Sequence, residues 1–192
     1  MKKIVLIAAM AFVTAAGFAQ PKFAHVNFSE LVQLMPEADQ AREAMQASQK
    51  EASDTFQAMY EEYQTKVQQY QQKSATWTPA IKESKEKELT DIQQRLEEFN
   101  QTIQQELQQQ QQQLMAPIYQ KAQETVNTIA KAGNYMYVID ITSVLYLDPA
   151  QSTDITAQAR KALNIPEGRT MESLQAELQA QAEAAQAAQT AQ

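Results

Sequence analysis

Phe56-Gln57-Ala58-Met59-Tyr60-Glu61-Glu62-Tyr63-Gln64-Thr65-Lys66-Val67-Gln68-Gln69-Tyr70 is the stretch that decides the fold. Phe56, Tyr60, Tyr63, Val67 and Tyr70 step by four, three, four and three, and Trp77 follows one heptad later with Ser74 in the intermediate place. A mean spacing of about 3.5 residues is a coiled-coil seam, because it returns one stripe of a helix to the same partner every two turns. A second stripe, Leu89, Ile92, Leu96, Phe99 and Ile103, keeps the same rhythm. Gln, Glu, Lys and Ala fill the positions between, and all four are good helix formers. Near Glu106-Leu107 the rhythm slips, as a stutter would make it do.

The break between the stripes is legible. Trp77-Thr78-Pro79 interrupts the seam; Thr78 can cap a helix, and Pro79 fits the first helical position, where its missing N–H costs nothing. The two seams therefore face each other in an antiparallel hairpin over residues 37–132, with its tip at 74–79. Arms of about 40 residues would be on the order of 60 Å long at 1.5 Å per residue. Pro117 is expected to kink the returning helix, since it removes a helical hydrogen bond and crowds the preceding turn.

Outward from the hairpin the pattern changes. Residues 22–35 and 134–148 read as strands. Ala24, Val26 and Phe28 share one face, with His25 and Asn27 opposite, and Tyr135–Ile139 and Val144–Leu147 are aromatic and β-branched runs. Gly133-Asn134 is a stop for the long helix, and Ser152-Thr153-Asp154 can cap a short helix carrying Ile155, Ala159, Ala162 and Leu163. The fold class is thus α+β, mainly α: a long antiparallel helical hairpin inserted into a small β-body made of residues 20–36 and 133–165. A few short strands with a modest core are marginal alone, so the body is expected to self-associate, in a number that the sequence leaves open. Residues 166–192 form an Ala/Gln-rich tail whose apolar anchors are Met171, Leu174 and Leu178, so it is read as frayed helix or disorder.

Composition narrows the function. With no Cys, one His and 3 Gly among 192 residues, the chain has no thiol nucleophile, no disulfide or Cys-ligated metal site, no multi-His site and no phosphate-cradling loop. No acid–base pair has identifiable support, and neither an enzyme nor a cofactor is expected. Residues 1–19 have the layout of a secretory signal peptide: Lys2-Lys3, an apolar run from Ile4 to Val13, and small residues before Gln20. That run is about half of what spans a bilayer. After its removal, 14 basic face 23 acidic residues, a net charge of −9, which disfavours nucleic acid.

Phe23-Ala24-His25-Val26-Asn27 with Leu31 to Met35, the long hairpin, Tyr137-Val138-Ile139-Asp140 through Tyr146, and Asp154-Ile155-Thr156 together resemble the Skp/OmpH family of periplasmic chaperones, over about residues 23–165. The order of elements carries the resemblance rather than any one motif. It implies a homotrimer whose β-bodies associate and whose three hairpins surround a cavity. There, unfolded outer-membrane β-barrel proteins would be held without ATP. It also implies a periplasmic location. Two features depart from the family pattern. Its best-known members are basic whereas this chain is acidic, which argues against contact with lipopolysaccharide or anionic membrane, and the tail beyond Pro166 is extra.

For such a protein Val26, Phe28, Tyr137, Ile139 and Tyr146 are assigned to the oligomer body. The stripe residues are assigned to seam packing. Apolar residues off the seam, Met45, Met59, Trp77, Ile81 and Met115, are the candidates for client contact, since flexible Met suits promiscuous apolar binding. His25 reads as a strand residue with a local hydrogen bond. The run Gln108–Gln113 reads as helix surface, and Glu83, Glu86 and Glu88 among Lys82, Lys85 and Lys87 as a solvated face. A second reading is a structural or adaptor coiled coil of the cell envelope that docks its hairpins on another protein; it should carry a continuous patch near the tip.

Overall fold

Two long helices dominate the computed structural model, which describes residues 21–190. The leader read at residues 1–19 lies outside the described residues. Helix α2 (Pro36–Lys73) has 38 residues and α3 (Pro79–Gly133) has 55; a 3-10 turn at Ser74–Thr76 joins them. The Thr78 hydroxyl accepts the Ile81 N–H at 3.4 Å and Pro79 opens α3. At the far end Asn134, not Gly133, takes the left-handed conformation (φ 53°) and closes the helix on the carbonyls of Ala130 and Lys131. Helix α3 runs through Pro117 without interruption.

The two helices lie antiparallel, as the cross-contacts show. Lys66 meets Glu88, Tyr63 meets Gln93, Phe56 meets Phe99, Ser48 meets Gln110 and Glu37 meets Lys121, so numbers rise on one helix as they fall on the other.

The core sits at one end. Strand β1 (Lys22–Val26) supplies Ala24 and Val26; helix α1 (Phe28–Leu34) supplies Leu31, Val32 and Leu34. Ala38 and Ala41 of α2 pack against them, as do Ile118, Ala122, Val126 and Ile129 of α3. The segment 28–34 corrects the strand reading, which let the alternation of Ala24, Val26 and Phe28 run too far. Asn27 ends the strand and caps a helix: its carboxamide oxygen accepts the Glu30 N–H at 3.1 Å, and its Nδ2 donates to the Glu30 carboxylate at 3.0 Å.

Three parallel strands make the sheet, in the order β2-β1-β3, with β2 at Tyr135–Asp140 and β3 at Ser152–Asp154. His25 pairs with Ile139 on one side and with Asp154 on the other. Here too the sequence reading needs correction. Val144–Leu147 is not a strand in the protomer; the third strand is the polar Ser152–Asp154, whose sequence suggests a helix cap. Nor is the His25 hydrogen bond local: the ring is buried, and its Nδ1 lies 2.9 Å from the Ser152 hydroxyl across the sheet.

Helix α4 (Thr156–Ala162) closes the body, and α5 (Met171–Thr190) returns along α2. Leu174 is 4% exposed in the core, and Gln181 of α5 accepts from Gln46 at 3.3 Å, so α5 runs parallel to α2. Two arginines latch it. Arg160 pairs with Glu30 at 2.6 Å and donates to the carbonyls of Pro166 and Arg169, while Arg169 pairs with Asp39 (2.5 Å) and Glu177 (3.2 Å). The tail is helical from Met171 rather than frayed, and of its three apolar anchors Leu174 is the one that reaches the core.

Candidate functional site

The arm is held by a single layer of side chains. Within residues 42–113 Ile92, at 1% exposure, is the one hydrophobic side chain fully buried. Tyr63, Val67, Tyr70, Leu89, Leu96, Phe99 and Ile103 are half-buried; Phe56 (38%) and Tyr60 (46%) remain exposed. Phe56 nonetheless lies across the seam against Phe99, with ring centroids 6.4 Å apart, and stacks on Tyr60 along its own helix. Tyr63 and Tyr70 take polar partners on the opposite helix. Tyr63 Oη accepts from Gln93 at 2.5 Å, and Tyr70 Oη donates to Glu86. A half-wet seam of this kind tolerates phenols because each hydroxyl can find a partner.

Toward the tip the charges are paired. Hydrogen bonds from Lys66 and then Lys85 hold the Glu88 carboxyl well below its usual range, at about 2, and the same bond raises Lys66. The Glu86 carboxylate raises the Tyr70 phenol. At the arm's root the Lys121 ammonium lowers Glu37.

The five client candidates do not gather into one pocket. Met45 and Met59 are half-buried on α2 at different heights. Trp77 is not an open tip residue: it is half-buried, edge-on to Tyr70 with centroids 5.8 Å apart. Ile81 is exposed beside it. Met115 packs on the edge of the body's core.

A groove that the sequence reading missed runs down one face of α3. Gln108, Gln111, Gln112, Met115 and Tyr119 line it, and a separate cleft of about 510 Å³, lined by Phe28, Tyr119, Met136 and Tyr137 among others, meets it at Tyr119. Met115 and Tyr119 at i, i+4 directly after the glutamines were the available signal.

Of the residues assigned to the oligomer body, Val26 lies inside the protomer core and Phe28 is half-buried against Tyr119 at 6.3 Å. Ile139 is half-buried, while Tyr137 (59%), stacked on Phe23, and Tyr146 are exposed. Met136, Ile141 and Leu145 are exposed as well, on and just after β2, which is an edge strand of the sheet. Among the described residues no group of His, Asp or Glu is placed to hold a metal ion, and no helix is long and apolar enough to cross a membrane.

The sequence model of the family described as outer membrane protein (OmpH-like) matches residues 22–163, from the first residue of β1 to the end of α4. The chain belongs to the OmpH-like family. Among its relatives, the chaperone protein Skp of Yersinia enterocolitica is 28% identical over 166 residues, and that of Yersinia pseudotuberculosis is 32% identical over 164. Each alignment takes in 84% of this chain and 98% of the relative, so each relative is matched nearly end to end. A solved OmpH-like structure from Caulobacter crescentus CB15 superposes with a TM-score of 0.66 over 77% of this chain and 86% of the other, at 17% identity, a likeness of fold. In this OmpH-like chain the helix α5 lies beyond the family match.

Proposed function

We propose that the OmpH-like chain is a periplasmic holdase chaperone. Three copies associate through the edge of β2, and their arms enclose unfolded outer-membrane β-barrel proteins and keep them soluble without ATP. The observation that carries this reading is the arm itself, long and helical, with its apolar and aromatic side chains left half-exposed rather than sealed. An unfolded β-barrel segment presents apolar side chains in varied order, and a half-open stripe of Phe, Tyr, Met and Ile offers contact without demanding a sequence. The names of the Yersinia relatives support the chaperone role. The exposure of Met136, Tyr137, Leu145 and Tyr146, on and just after an edge strand, supports self-association, because an open sheet edge and large exposed apolar side chains both favour pairing with another chain.

The test is aggregation of a urea-unfolded β-barrel protein on dilution, followed by light scattering with and without the mature chain. Suppression at near-stoichiometric trimer is expected. No suppression at severalfold excess would leave the adaptor reading in its place. A protein lacking Phe56–Ile103, with the paired helices rejoined by a short turn, should keep its oligomeric state and lose the holding activity.

A further inference from the structure

Helix α3 is uncharged from Leu107 to Gln120, between Glu106 and Lys121, and α2 is uncharged from Ala44 to Gln49, between Glu43 and Lys50. The two stretches stand side by side, because Ser48 meets Gln110 at 2.9 Å and Glu37 meets Lys121. The root of the arm therefore carries a neutral belt, with a charged residue at each end of both stretches. On its open face lies a groove of about 460 Å³ lined by Gln108, Gln111, Gln112, Met115, Ala116 and Tyr119. The side-chain amides of Gln108, Gln111 and Gln112 have no protein partner among the described residues, whereas Gln110 has Ser48.

We propose that this belt reads the main chain of an extended, uncharged polypeptide, with the free glutamine amides hydrogen-bonding its N–H and C=O groups while Met115 and Tyr119 take its apolar side chains. The proposal rests on the holdase reading and names the contact by which a segment is held. An extended chain that leaves water must find partners for its main-chain groups, since each one left unmade in a dry contact is costly. A glutamine amide is the side-chain counterpart of the peptide group: it offers two donors and an acceptor on a flexible stem, whatever residue the peptide carries. Charged side chains in the same place would have to be desolvated as the chain settles, and the belt has none. Along one face Gln108, Gln112, Met115 and Tyr119 are spaced four, three and four apart. That is a rise of about 16 Å, the reach of about five residues of strand.

The probe is a dye-labelled twelve-residue peptide of alternating Leu and Thr, together with a copy N-methylated on alternate residues, which loses main-chain donors but keeps its apolar face. Fluorescence anisotropy against the mature oligomer should show the methylated peptide binding about tenfold more weakly. In the triple variant Gln108→Ala, Gln111→Ala, Gln112→Ala the plain peptide should lose the same factor, and methylation should no longer matter. Alanine is the better helix former, so circular dichroism and light scattering should show helix and oligomer intact. Equal binding of the two peptides to the wild-type protein, or discrimination that survives the triple substitution, overturns the belt and leaves the holdase reading standing. Absence of binding by both the plain peptide and an unfolded β-barrel protein overturns the holdase reading itself. Because the chain has no cysteine, Gln112→Cys provides a clean label. Fast thiol modification without peptide and slow modification with it is the expected pattern, and slow modification of the peptide-free oligomer would mean that a second copy covers the belt and would overturn the assignment.

Discussion

Replacing Arg160 by methionine should unlatch the C-terminal helix and leave the rest of the body folded. Arg160 reaches three acceptors: the Glu30 carboxylate at 2.6 Å, the Pro166 carbonyl at 3.3 Å and the Arg169 carbonyl. The side chains of Arg160 and Glu30 are 17% and 25% exposed, which places the pair between a surface and a buried salt bridge. Removing one partner of a fully buried pair costs about 3–5 kcal/mol, and an exposed pair contributes about 0–1. Here Glu30 keeps its bond from Asn27, and the two carbonyls can turn to water, so the loss should be about 2 kcal/mol. Most of it falls on the segment that the arginine holds, because α5 is otherwise fixed by Leu174, the Arg169 pairs and a few polar contacts, and a 20-residue helix is marginal by itself. A loss of about 2 kcal/mol raises the population of the undocked state roughly 30-fold. Hydrogen exchange followed by mass spectrometry should show that acceleration in peptides from 171–185. Peptides covering Leu31–Leu34 and Ile118–Ile129 should stay within a few-fold of wild type. Unchanged protection of α5, or the same acceleration in every peptide, would refute the latch.

Three further outcomes follow from the geometry. Ile139→Asp puts a charge at the edge of the sheet where self-association is proposed, and light scattering should find monomer or unfolded protein; a stable trimer carrying it would remove Ile139 from the interface. Gly133→Ala sets a Cβ against the Tyr135 ring, which must shift; overpacking of this kind costs about 1–3 kcal/mol, read as a lower midpoint in thermal circular dichroism. The Glu88 carboxyl is held at about 2 by Lys66 and Lys85. Its contribution to stability is therefore fully present above the ordinary glutamate range and is lost progressively as pH falls from that range to about 2; carbon-detected NMR should place the midpoint of Glu88 at about 2 and move it upward in Lys66→Met.

What the sequence made legible was whatever is local and periodic. Helices α2 and α3 have their heptads, Thr78-Pro79 a capping signal, and Gly133-Asn134 a stop, because each depends on neighbours within a turn or two. The misread parts depend on distant partners. Ser152–Asp154 has no strand signature and becomes a strand because β1 offers it an edge. Val144–Leu147 has the composition of a strand and yet stays unpaired in the protomer, although β2 and β3 each leave an outer edge open: composition alone does not make a strand. The α1 helix was legible after all: Asn followed three residues later by Glu is a helix-start pattern in the sequence, which the β-like alternation before it masked. In the candidate site, apolar residues were visible, while the neutral belt needed the structure, since only there do Ala44–Gln49 and Leu107–Gln120 come side by side.

The sheet's parallel order has a consequence for how the chain comes to be folded. Strand β1 is central, and its first partner, β2, begins on the order of 110 residues later. As a free loop, a segment of that length would oppose the pairing by about 4 kcal/mol of closure entropy. The intervening residues are not a free loop, because their contacts between α2 and α3 can zip from the Ser74–Pro79 turn downward, each joining residues nearer in effective sequence than the last. Zipping delivers Tyr135 to Lys22 with little closure left to make. The seam thus sets the kinetics of the body: β1 waits, exposed, for as long as the arm takes to be synthesised and closed.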